Sequence, residues 1–249
     1  MTIPALQQMK HDGRKIVGVV AWDFQIAQIA DRIGVEIVSV GDSVGINLWG
    51  HASPLDVTVD EMLIVCKAVR RGTRRALVSC DLPYGPLQES VDSAVRAATR
   101  LMKDGGADMV KLDAAAECPE AVTAMVKAGI PVFAQFGITP HSRGTEHSVE
   151  KFVNDARTLE AAGAALLDFT HSGPVAGPAV VRAVSIPVLG GMGGGPWLDG
   201  RIRMAHAAIG YAASSLGSAT PRYANVAQIT LDALTAYSED VRASRQIKS

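Results

Sequence analysis

Amphipathic helical runs alternate with short aliphatic runs along this chain, and one junction recurs: IADRIG-VEIVSV, LMKDGG-ADMVKL, MVKAG-IPVFAQF, LEAAG-AALLDF and VRAV-SIPVLGG. In each, a helical spacing of apolar residues stops, mostly at a glycine, and a near-continuous Val/Ile/Leu run follows. Glycine just past a helix adopts the left-handed cap conformation without a Cβ clash, and unbroken apolar runs suit parallel strands covered on both faces. The alternation predicts seven strands, near residues 15–23, 35–42, 75–81, 108–113, 130–137, 165–170 and 186–191, and an eighth, more weakly patterned, around Tyr211 to Leu216. No proline/serine linker or charge run divides the chain. The expectation is one α/β domain over residues 1–249, a single (β/α)8 TIM barrel, with 221–249 a helical extension whose helix runs from Pro221 to about Ser244 and serves packing or subunit contact. A doubly wound sheet would normally carry G-x-G-x-x-G after its first strand; here that strand ends in AWDF.

Composition narrows the function classes. The 249 residues are 48% hydrophobic and only 5% aromatic, enough for a large aliphatic core. A net charge of −1 gives no electrostatic reason to expect nucleic acid or an anionic membrane as partner. The basic run RRGTRR, Arg70 to Arg75, sits at a helix C-terminus, where arginine complements the helix dipole. Cys66, Cys80 and Cys118 form no C-x-x-C pair, which argues against a disulfide framework or structural zinc. The N-terminal MTIPALQQMKHDGRK lacks the apolar core of a secretory signal, and no apolar run approaches the roughly 18–20 residues of a membrane helix. A cytoplasmic protein is expected.

In a barrel the strand ends and the loops after them form the active face. The strand ends here carry Asp23, then Gly41, Asp42 and Ser43, then Asp81, then Lys111 with Asp113, then Gln135, and finally LLDFTHS with Asp168, Thr170, His171 and Ser172. Lys111 and Asp113 are two residues apart and face the same side of their strand. Converging carboxylates repel unless protons, hydrogen bonds or a cation offset the charge. An oxygen-only donor set favours Mg²⁺, with Mn²⁺ as substitute, over zinc. Such an ion takes one or two protein carboxylates, keeps waters, and leaves room for a bidentate 2-oxo acid, whose keto group it polarises toward an enolate. Any single aspartate could equally cap a helix or a turn; four at strand ends favour the metal.

The stretch VGDSVGINLWGHASPLDVTVDEMLIVCKAVRRG, followed by ALVSCDLPYG, MVKLDAA and AGIPVFAQFGITPHS, resembles the ketopantoate hydroxymethyltransferases, barrel enzymes of the phosphoenolpyruvate mutase/isocitrate lyase superfamily. The resemblance runs from about Lys15 to about Gly210, with a weaker echo at PRYAN. It implies Mg²⁺-dependent transfer of a hydroxymethyl group from 5,10-methylenetetrahydrofolate to 3-methyl-2-oxobutanoate, on the pantothenate pathway, by a cytoplasmic homo-oligomer that in the family is often a decamer. Carried over by position, Asp42 and Asp81 hold the metal, Ser43 and Lys111 bind the oxo-acid carboxylate, and Asp113 stands by the metal waters where the family has glutamate.

The departures concern the reactive half of the site. The family's glutamate base, aligned on AAGA, falls on Thr170, whose neutral hydroxyl cannot take a proton from carbon at neutral pH. Gln135 stands for a histidine, and the glycine-rich segment after ITP-x-S is shortened to HSRGTEHSVEK, which leaves the one-carbon donor open. His171, with an ordinary pKa near 6.5, is the first replacement base, reaching the cavity if the strand end bulges; Asp168, and a relocated His141 or His147, are the others. The GGMGGGPW loop offers backbone N–H groups to an anion or lines the cavity. Three functions stay open: an aldol-type transferase building a C–C bond next to the keto group of a 2-oxo acid, a superfamily lyase or hydrolase cleaving a C–C or C–P bond, and a non-catalytic paralogue that binds metal and oxo acid.

Overall fold

A computed structural model describes residues 1–138, 148–220 and 222–246. Eight parallel strands close into a barrel in sequence order: β1 (Ile16–Val20), β2 (Ile37–Val40), β3 (Leu77–Asp81), β4 (Met109–Leu112), β5 (Val132–Gly137), β6 (Leu166–Thr170), β7 (Val188–Gly190) and β8 (Gly200–Met204). The helices are α1 (Ile3–His11), α2 (Phe24–Ile33), α3 (Val59–Gly72), α4 (Tyr84–Glu89), α5 (Val91–Lys103), α6 (Pro119–Lys127), α7 (Val149–Ala161), α8 (Ala176–Ala183), α9 (Ala205–Ala208) and α10 (Val226–Arg242). The chain divides into two compact units, Met1–Arg203 and Met204–Ser249.

Seven strands lie where the aliphatic runs place them, each trimmed by a few residues. The eighth does not. Tyr211 to Leu216 holds a 3₁₀ turn, Ala213–Ser215, and the closing strand is GRIRM. Two arginines hid it, because only Ile202 of this strand faces the core. Arg201 instead donates to the carbonyls of Gly190 (3.0 Å) and Gly194 (2.7 Å), bracing the loop before its own strand. Closure also demands Gly200, since a Cβ there would lie 2.1 Å from the Ile16 carbonyl oxygen. A glycine and two arginines are what closing the barrel needs, and they erase the apolar pattern by which strands are read.

The barrel interior is built in layers that follow the two-residue period of each strand. At the bottom, Ile16, Ile37, Leu77, Met109, Phe133, Leu166, Leu189 and Ile202 pack together, and Leu6 and Met9 of α1 join them as a plug. The N-cap Thr2 and a proline in the first turn start that helix. Two residues further along the same faces come Ser39, Ser79, Lys111, Gln135 and Asp168, every one buried. Burying that many polar groups in a barrel core is costly unless they bond to one another or to a ligand. On the outer face of β5 and β6, Phe136 stacks on Phe169 (4.6 Å), and Phe152 of α7 closes against Phe169 (5.0 Å).

In the second unit, α10 starts at the Asn225 cap, whose side chain accepts the Gln228 N–H at 3.2 Å. It leaves Ile229, Leu231, Leu234, Tyr237 and Val241 exposed. Among the described residues no helix is long and apolar enough to cross a membrane.

Candidate active site

Asp42, Asp81 and Asp113 come from the ends of the neighbouring strands β2, β3 and β4, and one oxygen from each lies within 4.8 Å of the others. Asp81 Oδ2 accepts the Asp42 N–H at 3.3 Å, while Asp81 Oδ1 is buried with no hydrogen-bond partner among the described residues. A lone buried carboxylate oxygen facing two more carboxylates is what a cation would satisfy, and the all-oxygen donor set fits a hard divalent ion. Gly41 lets the ends of β1, β2 and β3 come together: a Cβ there would meet Ser43 Oγ at 3.0 Å, Val20 at 3.1 Å and Asp81 Oδ2 at 3.7 Å. Ser43 thus stands over the same corner, its carbonyl accepting the Asn47 side-chain amide at 2.7 Å.

Lys111 reaches the cluster from below. Its Nζ is 2.5 Å from Asp113 Oδ1, 3.4 Å from Asp81 Oδ2 and 4.0 Å from Asp168 Oδ2. Burial alone would pull its pKa down, but the three carboxylates outweigh burial and hold the ammonium well above its ordinary range. One cation does not neutralise all of them. Burial pushes the Asp81 carboxyl well up despite Lys111, and Asp113 and Asp42 add to the rise.

At the end of β6 the three predicted reactive residues part company. Thr170 is fully buried, with its hydroxyl between the carbonyls of Phe136 (3.1 Å) and Ile138 (2.9 Å), to which it donates. It ties β6 to β5. Asp168 faces the barrel axis: Oδ1 accepts the Gly191 N–H at 2.7 Å and Oδ2 the Gln135 amide at 3.3 Å. Burial raises its carboxyl, against the opposing pull of Lys111, Gly191 and Gln135. His171 is exposed on the rim with φ +50°, a left-handed conformation rare for non-glycine residues. The Met192 carbonyl holds its N–H (2.7 Å) and the Ile138 carbonyl its Nδ1 (3.1 Å). A carbonyl only accepts, so Nδ1 carries the hydrogen there and Nε2 is the basic nitrogen. Ser172 accepts from Trp197 Nε1 at 2.9 Å and is structural.

A cleft of about 340 Å³ adjoins the aspartates, lined by Asp42, Asp113, Leu82, Tyr84, Leu87 and Cys118 among others. Burial pushes the Cys118 thiol up to about 11, so it is an inert wall and not a nucleophile.

Several motif residues turn out to build loops. Asp23 caps α2, accepting the Ile26 N–H at 2.8 Å. Thr58 and Glu61 form a capping box for α3, and Glu61 also pairs with His51 at 3.1 Å. Arg70 pairs with Asp108 at 2.8 Å and Arg75 with Asp31 at 3.7 Å, so two of the four arginines of the basic run are spent within the fold. Gly193, φ +73°, abuts His171: a Cβ would lie 3.0 Å from its Cα. The glycine loop therefore seats the β6 end. His141 and His147, with most of the shortened segment, lie outside the described residues. The buried serines Ser39 and Ser79 went unread, since serine by itself signals no site, whereas the anion that the glycine loop holds is the Asp168 carboxylate, through the Gly191 N–H.

The ketopantoate hydroxymethyltransferase family model matches residues 1–246. The 3-methyl-2-oxobutanoate hydroxymethyltransferase of Cyanothece sp. is 38% identical, over 97% of this chain and 96% of its own, and that of Geobacillus kaustophilus is 35% identical, over 94% and 87%. Among solved structures, 2,3-dimethylmalate lyase of the PEP mutase/isocitrate lyase superfamily superposes with a TM-score of 0.65 at 15% identity, covering 100% of this chain and 99% of its own. Oxaloacetate acetylhydrolase with oxalate gives 0.66 at 12% identity, over 96% and 86%, which supports the fold alone.

Proposed function

The chain belongs to the ketopantoate hydroxymethyltransferase family, and from that membership we propose that it is a Mg²⁺-dependent enzyme adding a hydroxymethyl group to C3 of a 2-oxo acid. The observation that carries this reading is the trio of strand-end aspartates around an orphaned buried oxygen, with Lys111 against it. Asp42, Asp81 and Asp113 would hold the ion; bound there, it supplies Lewis acidity toward a keto oxygen. Lys111 and Ser43 bind and orient the oxo acid, the ammonium by charge and the hydroxyl by hydrogen bonding. Gln135 lies along the same wall as Lys111 and borders the carbon chain. The adjoining cleft has room for part of a second reactant.

The relatives' name makes 3-methyl-2-oxobutanoate the first substrate to test, and the donor implied by the sequence resemblance, 5,10-methylenetetrahydrofolate, is the first to try with it. Incubation of the protein with Mg²⁺ and both compounds is expected to yield ketopantoate by mass spectrometry, with no product after chelation. Product formation indifferent to chelator would end the metal reading, and turnover of substituted malates without folate would move the assignment to C–C cleavage.

A cytoplasmic homo-oligomer belongs to the same proposal, supported by the large apolar side chains α10 leaves exposed. Sedimentation is expected to show a multimer, with Leu234→Asp shifting it toward smaller species; a monomeric wild type would exclude the assembly.

A further inference from the structure

We propose that Asp168 is the general base that takes the C3 proton from the oxo acid. This assignment rests on the proposed function and deepens it by naming the group that starts the chemistry.

Carbon–carbon bond formation at C3 requires that a C–H bond next to the keto group be broken. The acceptor must be unprotonated, close to the group that holds the keto acid, and screened from water. Four residues at the end of β6 offer side-chain oxygen or nitrogen, of which Ser172 is taken up by the Trp197 indole N–H. Thr170 is excluded by its bonds, since its hydroxyl donates to the carbonyls of Phe136 and Ile138 and has no lowered pKa to exploit. His171 is basic at Nε2, yet its left-handed backbone carries the ring out to the exposed rim beside Ile138.

Asp168 meets the conditions of position and screening, and the Lys111 ammonium with the Gly191 and Gln135 donors favours its ionised form against the effect of burial. It is 2% exposed, faces the axis, and its Oδ2 is 4.0 Å from the Lys111 ammonium. A keto acid held by that ammonium brings C3, one bond from the keto carbon, toward the same oxygen. Asp168 is also the inward carboxylate of this wall that the aspartate trio does not use. Its orientation is fixed twice over. The Gly191 N–H holds Oδ1 and the Gln135 amide holds Oδ2. A side chain at Gly191 would crowd this carboxylate, since a Cβ would approach Oδ2 to 3.0 Å and Oδ1 to 3.3 Å. Such preorganisation of a carboxylate with no exposed route to water is the geometry a carbon acid needs.

In the step itself the C3–H bond breaks and its proton binds Asp168 Oδ2. The electron pair forms the C2=C3 bond as the C2=O π pair moves to oxygen. The enolate carbon then attacks the methylene carbon of the donor, forming the C–C bond as one C–N bond breaks and the Asp168 proton passes to that nitrogen; water then replaces the second nitrogen on the same carbon, its oxygen becoming the new hydroxyl and one of its hydrogens going to the nitrogen that leaves.

The test is exchange of the C3 hydrogen of 3-methyl-2-oxobutanoate in D₂O with Mg²⁺, followed by proton NMR, alongside calorimetric binding of Mg²⁺ and of the oxo acid. Asp168→Asn, nearly isosteric and still able to accept the Gly191 N–H, is expected to slow exchange about 10²- to 10⁴-fold with both affinities retained. Asp168→Glu, which keeps the charge and displaces the carboxylate by one methylene, is expected to exchange more slowly than wild type and decides the matter should the Asn variant fold poorly. Exchange at the wild-type rate in a folded Asp168 variant overturns the assignment, as does exchange that survives Asp168→Asn but collapses in His171→Gln. A wild type that binds both ligands and exchanges nothing overturns the proposed function, and this base with it.

Discussion

Asp81→Asn is expected to bring turnover to background and to weaken Mg²⁺ binding by at least about 100-fold, roughly 3 kcal/mol at 1.4 kcal/mol per decade. Asp81 is the aspartate of the trio whose oxygen is both buried and unpartnered, and it also receives the Asp42 N–H and faces Lys111. The same substitution is expected to leave the metal-free protein as stable as wild type or more so. Burial holds the Asp81 carboxyl above its ordinary range, so ionising it costs the fold stability as pH rises past the unfolded-state value near 3.8, and asparagine carries no such charge. Titration calorimetry with Mg²⁺ and thermal melts at pH 5 and pH 8, with and without the ion, measure both effects. A variant that melts lower at both pH values and still binds Mg²⁺ would mean that Asp81 supports the fold and not the ion. Asp113→Asn should be milder for the metal, because the Asp113 side chain is 39% exposed and water can replace it.

Lys111→Met should lower kcat/KM by about 10³-fold, close to 4 kcal/mol of transition-state stabilisation. Its ammonium is the positive charge among Asp81, Asp113 and Asp168. The loss should fall on both KM and kcat, since the same charge binds the oxo acid and favours negative charge developing on it. Removing a buried cation also strands its partners, at about 3–5 kcal/mol of stability in the metal-free protein, and Mg²⁺ should restore part of that loss. Lys111→Arg is not expected to rescue activity: a planar fork does not fit a slot shaped around a point charge. Steady-state kinetics together with urea unfolding, each with and without the ion, separate the two contributions. Unchanged kcat/KM in a folded methionine variant would remove Lys111 from substrate binding.

Much of this architecture was legible as pattern. Seven strands, the barrel and the positions of Asp42, Ser43, Asp81, Lys111 and Asp113 follow from local rules: apolar runs make strands, glycines end helices, and residues two apart share a face. Those rules operate within a few residues and need no partner. The closing strand escaped them because its residues answer to distant ones. Gly200 is required by Ile16 and Arg201 by the Gly190 and Gly194 carbonyls, and neither demand leaves a periodic trace.

The β6 end divides in the same way. The sequence by itself determined which groups stand there and that Thr170 cannot act as a base, because a hydroxyl's proton affinity is a property of the residue. Only the tertiary structure decided where Asp168 and His171 point. The turn into a left-handed conformation at His171 is set by Gly193 packing against it, and Asp168 is aimed at Lys111 by the Gly191 amide, 23 residues away in the chain. Residue chemistry is local, whereas the direction of a side chain and the charge around it come from strands that meet only when the barrel closes.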